Sequence, residues 1–128
     1  MLKIKIVSCF LFIIYFTGCS DYTVELSNGY IFVSESKVNQ KIVKKGYFEK
    51  EKYIPCTVIA FNYNDDFIIA AQINNPDGVK RVLINDPVFF WIIYHKGSQF
   101  IGPVSIDEYL KQRKELHIPD DLKLDLKL

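Results

Sequence analysis

Seven consecutive residues, Val88 to Tyr94 (V-F-F-W-I-I-Y), carry no polar side-chain group except the Trp91 indole N–H and the terminal phenol. In an extended chain successive side chains point to opposite faces, so a run apolar at every position has nothing to offer water on either side. Its length and its aromatic and β-branched content favour a strand over a buried helical turn. The run therefore predicts a central strand covered on both faces, the heart of the core. This demands a sheet with other strands beside it.

Those strands can be read on either side. Tyr22, Val24 and Leu26 alternate with Thr23 and Glu25, and Tyr30 and Phe32 alternate with Ile31 and Val33. Between them Asn28-Gly29 is a strong hairpin signal, because both residues tolerate the positive φ of a type I′ turn. Strands are expected at about 22–27 and 30–36, with a weaker one at 40–44 before a lysine-rich loop from Lys44 to Lys52. Thr57 to Tyr63 and Phe67 to Ala71 form a second pair around the Asn64-Asp65-Asp66 turn. Asn75-Pro76-Asp77-Gly78 predicts another turn, with Val79 to Ile84 as the returning strand. Gln99 to Ile101 is expected to extend until Gly102-Pro103 ends it.

Ser105-Ile106-Asp107-Glu108 has the form of a capping box, flanked by Val104 and Tyr109 at the positions of a hydrophobic staple. A helix near 106–116 follows, with Ile106, Tyr109, Leu110 and Arg113 on one face. His117-Ile118-Pro119 ends it, and Leu122, Leu124, Leu126 and Leu128 then alternate with polar residues, predicting a last strand with one buried face. The whole is an α+β fold, mainly antiparallel β-sheet with seven or eight short strands and one C-terminal helix.

The first eighteen residues are unlike the rest. Lys3 and Lys5 precede an apolar run from Ile6 to Phe16, 11 residues long, short of the roughly 18 to 20 needed to cross a bilayer. The order of charge, apolar run and small residue is that of a secretion signal. Phe16-Thr17-Gly18-Cys19 at its end resembles the lipobox of bacterial lipoproteins, with Phe16 where Leu, Val or Ile is usual. The resemblance implies cleavage between Gly18 and Cys19, a diacylglycerol on the Cys19 thiol, and a further acyl chain such as palmitate on the new amino terminus. Ile6-Val7-Ser8-Cys9 fits the same short pattern but has no apolar run before it. The alternatives are an uncleaved anchor and a buried amino-terminal element. On the first reading residues 1–18 are the signal peptide and 19–128 a single mature extracytoplasmic domain, held at the cell membrane or envelope by lipid.

Composition must then be taken on the second part alone. The full chain has 128 residues, 16 basic and 15 acidic, with 49% hydrophobic residues, too apolar for disorder. Without Lys3 and Lys5 the basic residues fall to 14, a net charge of −1. Neither charge gives the basic field that binds nucleic acid, and charge does not hold the mature domain to anionic lipid.

Chemistry-bearing residues are few. With Cys9 in the leader and Cys19 lipidated, Cys56 is the one thiol left, and its place before Thr57-Val58-Ile59 is that of a small buried hydrophobe. A catalytic thiol would need a histidine base, and the distance in sequence to His95 and His117 leaves that open. His117 stands at a helix end, where the dipole favours a cation. The two histidines lack metal-ligand spacing. Asp65-Asp66, Asp77 and Asp120-Asp121 sit where turns are needed. The lysines from Lys41 to Lys52 alternate with Glu49 and Glu51, which suits a solvated loop. No phosphate-cradling glycine loop, nucleophile elbow or cofactor motif is present. Exposed tyrosines among Tyr22, Tyr30, Tyr47, Tyr53 and Tyr63 would suit a sugar or protein partner.

Gly18-Cys19-Ser20-Asp21-Tyr22, Glu25-Leu26, Asn28-Gly29-Tyr30, Trp91-Ile92-Ile93, and Gly102-Pro103 running into Ser105 to Arg113 together resemble an uncharacterised family of small bacterial lipoproteins, known only as a domain of unknown function. The resemblance spans nearly the whole mature chain and transfers no catalytic residue. The expectation is a lipid-anchored, non-enzymatic binding or structural module of the envelope, with no cofactor. An envelope hydrolase, or an immunity or inhibitor protein, is the alternative.

Overall fold

The computed structural model describes residues 21–46, 53–83 and 85–126. Gly18 and Cys19 lie outside them, as do residues 47–52 of the lysine-rich loop.

Among the described residues seven strands form two antiparallel sheets. In the first, β1 (Tyr22–Glu25), β2 (Tyr30–Ser34) and β3 (Gln40–Lys44) lie in that order. In the second, β4 (Val58–Tyr63), β5 (Phe67–Ile73), β6 (Val88–Tyr94) and β7 (Gln99–Val104) do the same. One helix, α1 (Ile106–Glu115), follows. Strands adjacent in each sheet are also neighbours in sequence and pair antiparallel, most through short turns, with the longer 74–87 segment between β5 and β6. The α+β, mainly antiparallel reading is what the chain adopts.

The apolar run at 88–94 is a central strand, paired with β5 on one side and β7 on the other. Its two faces feed two cores. Trp91 and Ile93, with Ile68 and Ala70 of β5, face Tyr30, Phe32 and Ile42 of the first sheet. Phe90 and Ile92, with Phe67, Ile69 and Ala71, face Tyr109, Ile118 and Leu122. The molecule is thus layered, three-stranded sheet, four-stranded sheet, then helix and C-terminal segment. β5 is buried at all seven positions, because it too lies in the middle layer. Burying a large aliphatic or aromatic side chain there contributes about 1.5–3 kcal/mol.

The segment leading into β4 is tied to β3 where Ile42 and Ile54 exchange backbone hydrogen bonds of 3.0 and 2.8 Å. A buried polar network lies beside this joint. The Thr57 hydroxyl donates to the Val38 carbonyl, the Asn75 amide to the Thr57 hydroxyl, the Gln72 amide to the Cys56 carbonyl, and the Trp91 indole to Gln72. Each group is satisfied, which is what makes burial of Thr57, Gln72 and Asn75 tolerable.

Several expectations are corrected. Val79 to Leu83 is not a strand: after the 75–78 turn, where Gly78 donates to the Asn75 carbonyl, the Asn75 side chain binds both the N–H and the carbonyl of Lys80. Those backbone groups have no ladder to join, and Val79 and Leu83 are left exposed. The leucine-alternating tail is not a strand either. Leu122 is buried and Leu124 and Leu126 are half-buried in the helix-side core, so the alternation is real. It is anchored by side-chain packing and by one bond from the Asn62 amide to the Lys123 carbonyl, with no sheet ladder. β7 runs through Gly102-Pro103 to Val104 instead of ending there, and β6 and β7 shift register between Phe90 and Ile92 to accommodate it.

The helix begins where expected, Ser105 accepting from the Glu108 amide at 3.3 Å. The Glu108 carboxylate, however, takes a bond from Gln112 one turn on, so only half of the capping box forms. The buried face also differs. Tyr109 is inside, stacked on Phe90, while Ile106 and Leu110 are exposed. One large ring filling the gap to β6 sets the helix rotation, and residues one position to its side are carried outward.

Candidate functional site

Two turns from different sheets meet at one end of the layered pair. The β1–β2 turn follows the Asn28-Gly29 reading, with φ of 55° and 79° and a bond from the Tyr30 N–H to the Ser27 carbonyl. The β6–β7 turn spans His95 to Ser98, with Ser98 at φ 49°. Positive φ at a non-glycine residue is uncommon, and here it occurs once in each turn.

His95 bridges the two. Its Nε2 lies 2.7 Å from the Ser27 hydroxyl and its Nδ1 lies 3.3 Å from the Asn28 amide nitrogen. The ring also stacks on Tyr30 at a centroid distance of 5.9 Å. An amide nitrogen can only donate, so Nδ1 accepts and the ring proton sits on Nε2, donating to Ser27. In that tautomer the imidazole cannot take the serine proton, so the contact holds the turns together and does not activate a nucleophile. Partial burial lowers the His95 pKa below its ordinary 6.5, the Lys44 ammonium pushes the same way, and Asp66 opposes them. The ring is therefore neutral at pH 7, as this bonding requires.

Beside His95 is a cavity of about 110 Å³, whose wall includes Asn28, Tyr30, Lys44, Ser98, Gln99 and Phe100. The Lys44 ammonium stands 5.5 Å from the centre of the Tyr30 ring. A second, more open groove of about 270 Å³ is lined by residues that include Tyr22, Phe32, Val58 and Phe61.

Cys56 is elsewhere. It is 6% exposed and its thiol donates to the Asn39 side-chain oxygen at 3.2 Å. Burial pushes its pKa up, partly offset by Lys41, so the nucleophilic thiolate is disfavoured. Neither histidine is its partner. His117 sits past the helix with φ 55°, and its N–H reaches the Lys114 carbonyl while that of Ile118 reaches Arg113. That is a Schellman ending, with the histidine in the place usually given to glycine. Asp66 is a turn residue, its N–H bound by Asn64 and its carboxylate 3.5 Å from Lys96. Among the described residues no three of His, Cys, Asp and Glu are grouped as a metal site, and no helix is long and apolar enough to cross a membrane. Of the tyrosines, Tyr22 and Tyr63 are exposed, Tyr30 is buried, and Tyr47 lies outside the described residues.

A family described as "Protein of unknown function (DUF3997)" matches residues 27–127. The chain belongs to that family. The DUF3997 segment begins at Ser27, the residue that holds His95, and takes in β2 to β7, the helix and the tail. β1 and everything before it lie outside the match. No curated protein and no solved structure matches this DUF3997 chain. The Ser27–His95 contact joins residues 68 apart, and sequence spacing gave no sign of it.

Proposed function

We propose that this DUF3997 protein is a lipid-anchored module on the extracytoplasmic side of the cell envelope, and that it binds or shields another component without catalysing a reaction. The observation that carries the reading is the order of Lys3 and Lys5, the apolar run to Phe16, and Gly18-Cys19 just before a folded sheet. β1 starts at Tyr22, three residues after Cys19, a span of at most about 10 Å of extended chain. Acylation of Cys19 would then hold the domain against the bilayer with no linker to swing on. Each buried acyl methylene contributes about 0.8 kcal/mol, so two or three chains give lasting attachment. The non-enzymatic part is supported by the two reactive side chains at hand. His95 is committed as a donor to Ser27, and the Cys56 thiol is paired with an amide.

Cys19→Ala tests the anchor. The wild-type chain should partition with membranes and have the mass of residues 19–128 plus acyl groups. The variant should leave the membrane or keep its leader. Unchanged partitioning and unchanged mass would refute the proposal.

A further inference from the structure

The end of the layered pair away from His95 is fixed by strand register. Tyr22 pairs with Ser34 where β1 begins, and the β2–β3 turn follows Ser34. In the other sheet β5 ends and β6 begins at the Ile73–Val88 pair, and β7 ends at Val104 opposite Phe90. The two sets meet. The Cys56 thiol donates to the Asn39 side chain, the Thr57 hydroxyl donates to the Val38 carbonyl, and Gly78 lies against Asn39. The start of β1, the 74–87 segment and the start of the helix therefore share one end of the molecule.

That end carries exposed apolar side chains. Val79 and Leu83 are 78% and 55% exposed, and Tyr22 and Ile106 at the same end are 53% and 46% exposed. Single exposed aliphatics are ordinary, but a group at one end marks a surface that meets something apolar. The 79–83 segment is held in shape from within. The buried Asn75 side chain bonds both backbone groups of Lys80, and the Leu83 N–H donates to the Asp86 carboxylate while the Leu83 carbonyl accepts from the Asp86 N–H. Backbone groups paired in this way can approach lipid without the penalty that unpaired ones would meet. The charges of residues 77–86 cancel, Lys80 and Arg81 against Asp77 and Asp86, so attraction to anionic headgroups is not what brings the segment to a membrane.

We propose that this end is a membrane-contact face, with Val79 and Leu83 seated in the interfacial layer of a bilayer and Tyr22 and Ile106 at its margin. Lys80 and Arg81 keep their charged ends among the headgroups. The chain itself selects lipid as the occupant. β1 starts three residues after Cys19 at this same end, so an acylated Cys19 stands within about 10 Å of Tyr22 and brings the bilayer to this face. The inference names the surface on which the anchored domain proposed above rests, and it depends on that reading. It turns the His95 end away from the bilayer, toward the rest of the envelope.

The test uses Val79→Trp and Leu83→Trp in the full chain, reconstituted into phosphatidylcholine vesicles whose acyl chains carry bromine near the glycerol end as a contact quencher. Trp91, 7% exposed in the core, is a constant background. Both added indoles should emit at shorter wavelength than in water and lose intensity in brominated vesicles. Lys96→Trp, in the turn beside His95, should do neither. Adding phosphatidylglycerol should leave the quenching unchanged, and quenching that appears only with that anionic lipid would overturn the apolar contact. Leu83→Asp combined with Val79→Trp should remove most of the quenching, because a carboxylate is costly in the apolar layer. Water-like emission from both added indoles, or quenching of Lys96→Trp equal to that of Val79→Trp, would overturn the proposal. So would a blue shift without bromine quenching, which would mark a protein as the occupant. A chain acylated at Cys19 whose added indoles are unquenched loses this inference alone, and a chain that is quenched but not acylated at Cys19 loses the lipid anchor alone.

Discussion

His117 ends the helix in a left-handed conformation, φ 55°, with backbone bonds from its own N–H to Lys114 and from the Ile118 N–H to Arg113. A side chain in that region clashes with its own carbonyl, at a cost of about 1 kcal/mol that glycine avoids. His117→Gly should therefore stabilise the fold by up to about 1 kcal/mol, net of the extra freedom it gives the unfolded chain, read as a higher urea midpoint at unchanged slope. At the helix end the sequence shows a histidine before Ile118-Pro119 and suggests a charge effect. What the histidine contributes is backbone geometry, which residue type alone does not announce. Cys56 is the reverse case. Its place at a strand start between Pro55 and Thr57 already marks it as a buried small side chain, and the structure adds only that Asn39 accepts its S–H.

At the scale of elements, β7 depends on one close approach. Gly102 has φ 143°, and a Cβ there would run into the Trp91 indole. Gly102→Ala should cost about 2–3 kcal/mol, since it combines overpacking with a backbone region that alanine rejects. The measurement is equilibrium denaturation, and near-ultraviolet circular dichroism should report the displaced tryptophan. The elements themselves were largely legible. Asn28-Gly29, the Asn64-Asp65-Asp66 turn and the Ser105 cap marked the corners, and two-residue alternation marked the strands. The leucine tail has the period of a strand and no strand to pair with, while Val79 to Leu83, expected to be a strand because a turn precedes it, has its Lys80 backbone groups bound by Asn75. Period reports which side chains can share a face. It does not report whether another strand is free to receive the backbone.

At the scale of the whole molecule, the Ser27–His95 bond ties the β1–β2 turn of one sheet to the β6–β7 turn of the other through side chains. That tie carries a pH dependence with a definite sign. The folded His95 pKa is depressed below 6.5, so on falling through that value the unfolded chain takes up a proton before the folded one does. Stability should be full above about pH 6.5, decline as the pH falls below it, and level off for this group once the folded pKa is reached. Urea unfolding between pH 7.5 and 5.5 should show the decline, and His95→Gln should flatten that part of it. The sequence by itself determined the apolar run from Ile6 to Phe16 with Gly18-Cys19 after it, the net charge, the central strand at 88–94, and the hairpin and cap positions, because each is written in residues adjacent along the chain. Only tertiary structure decided which alternating segments pair, which way the helix turns its face, and that Asn28, Tyr30, Lys44, His95 and Ser98 surround one cavity. Those relations depend on how two sheets stack, and contacts between residues nearly seventy positions apart leave no local trace.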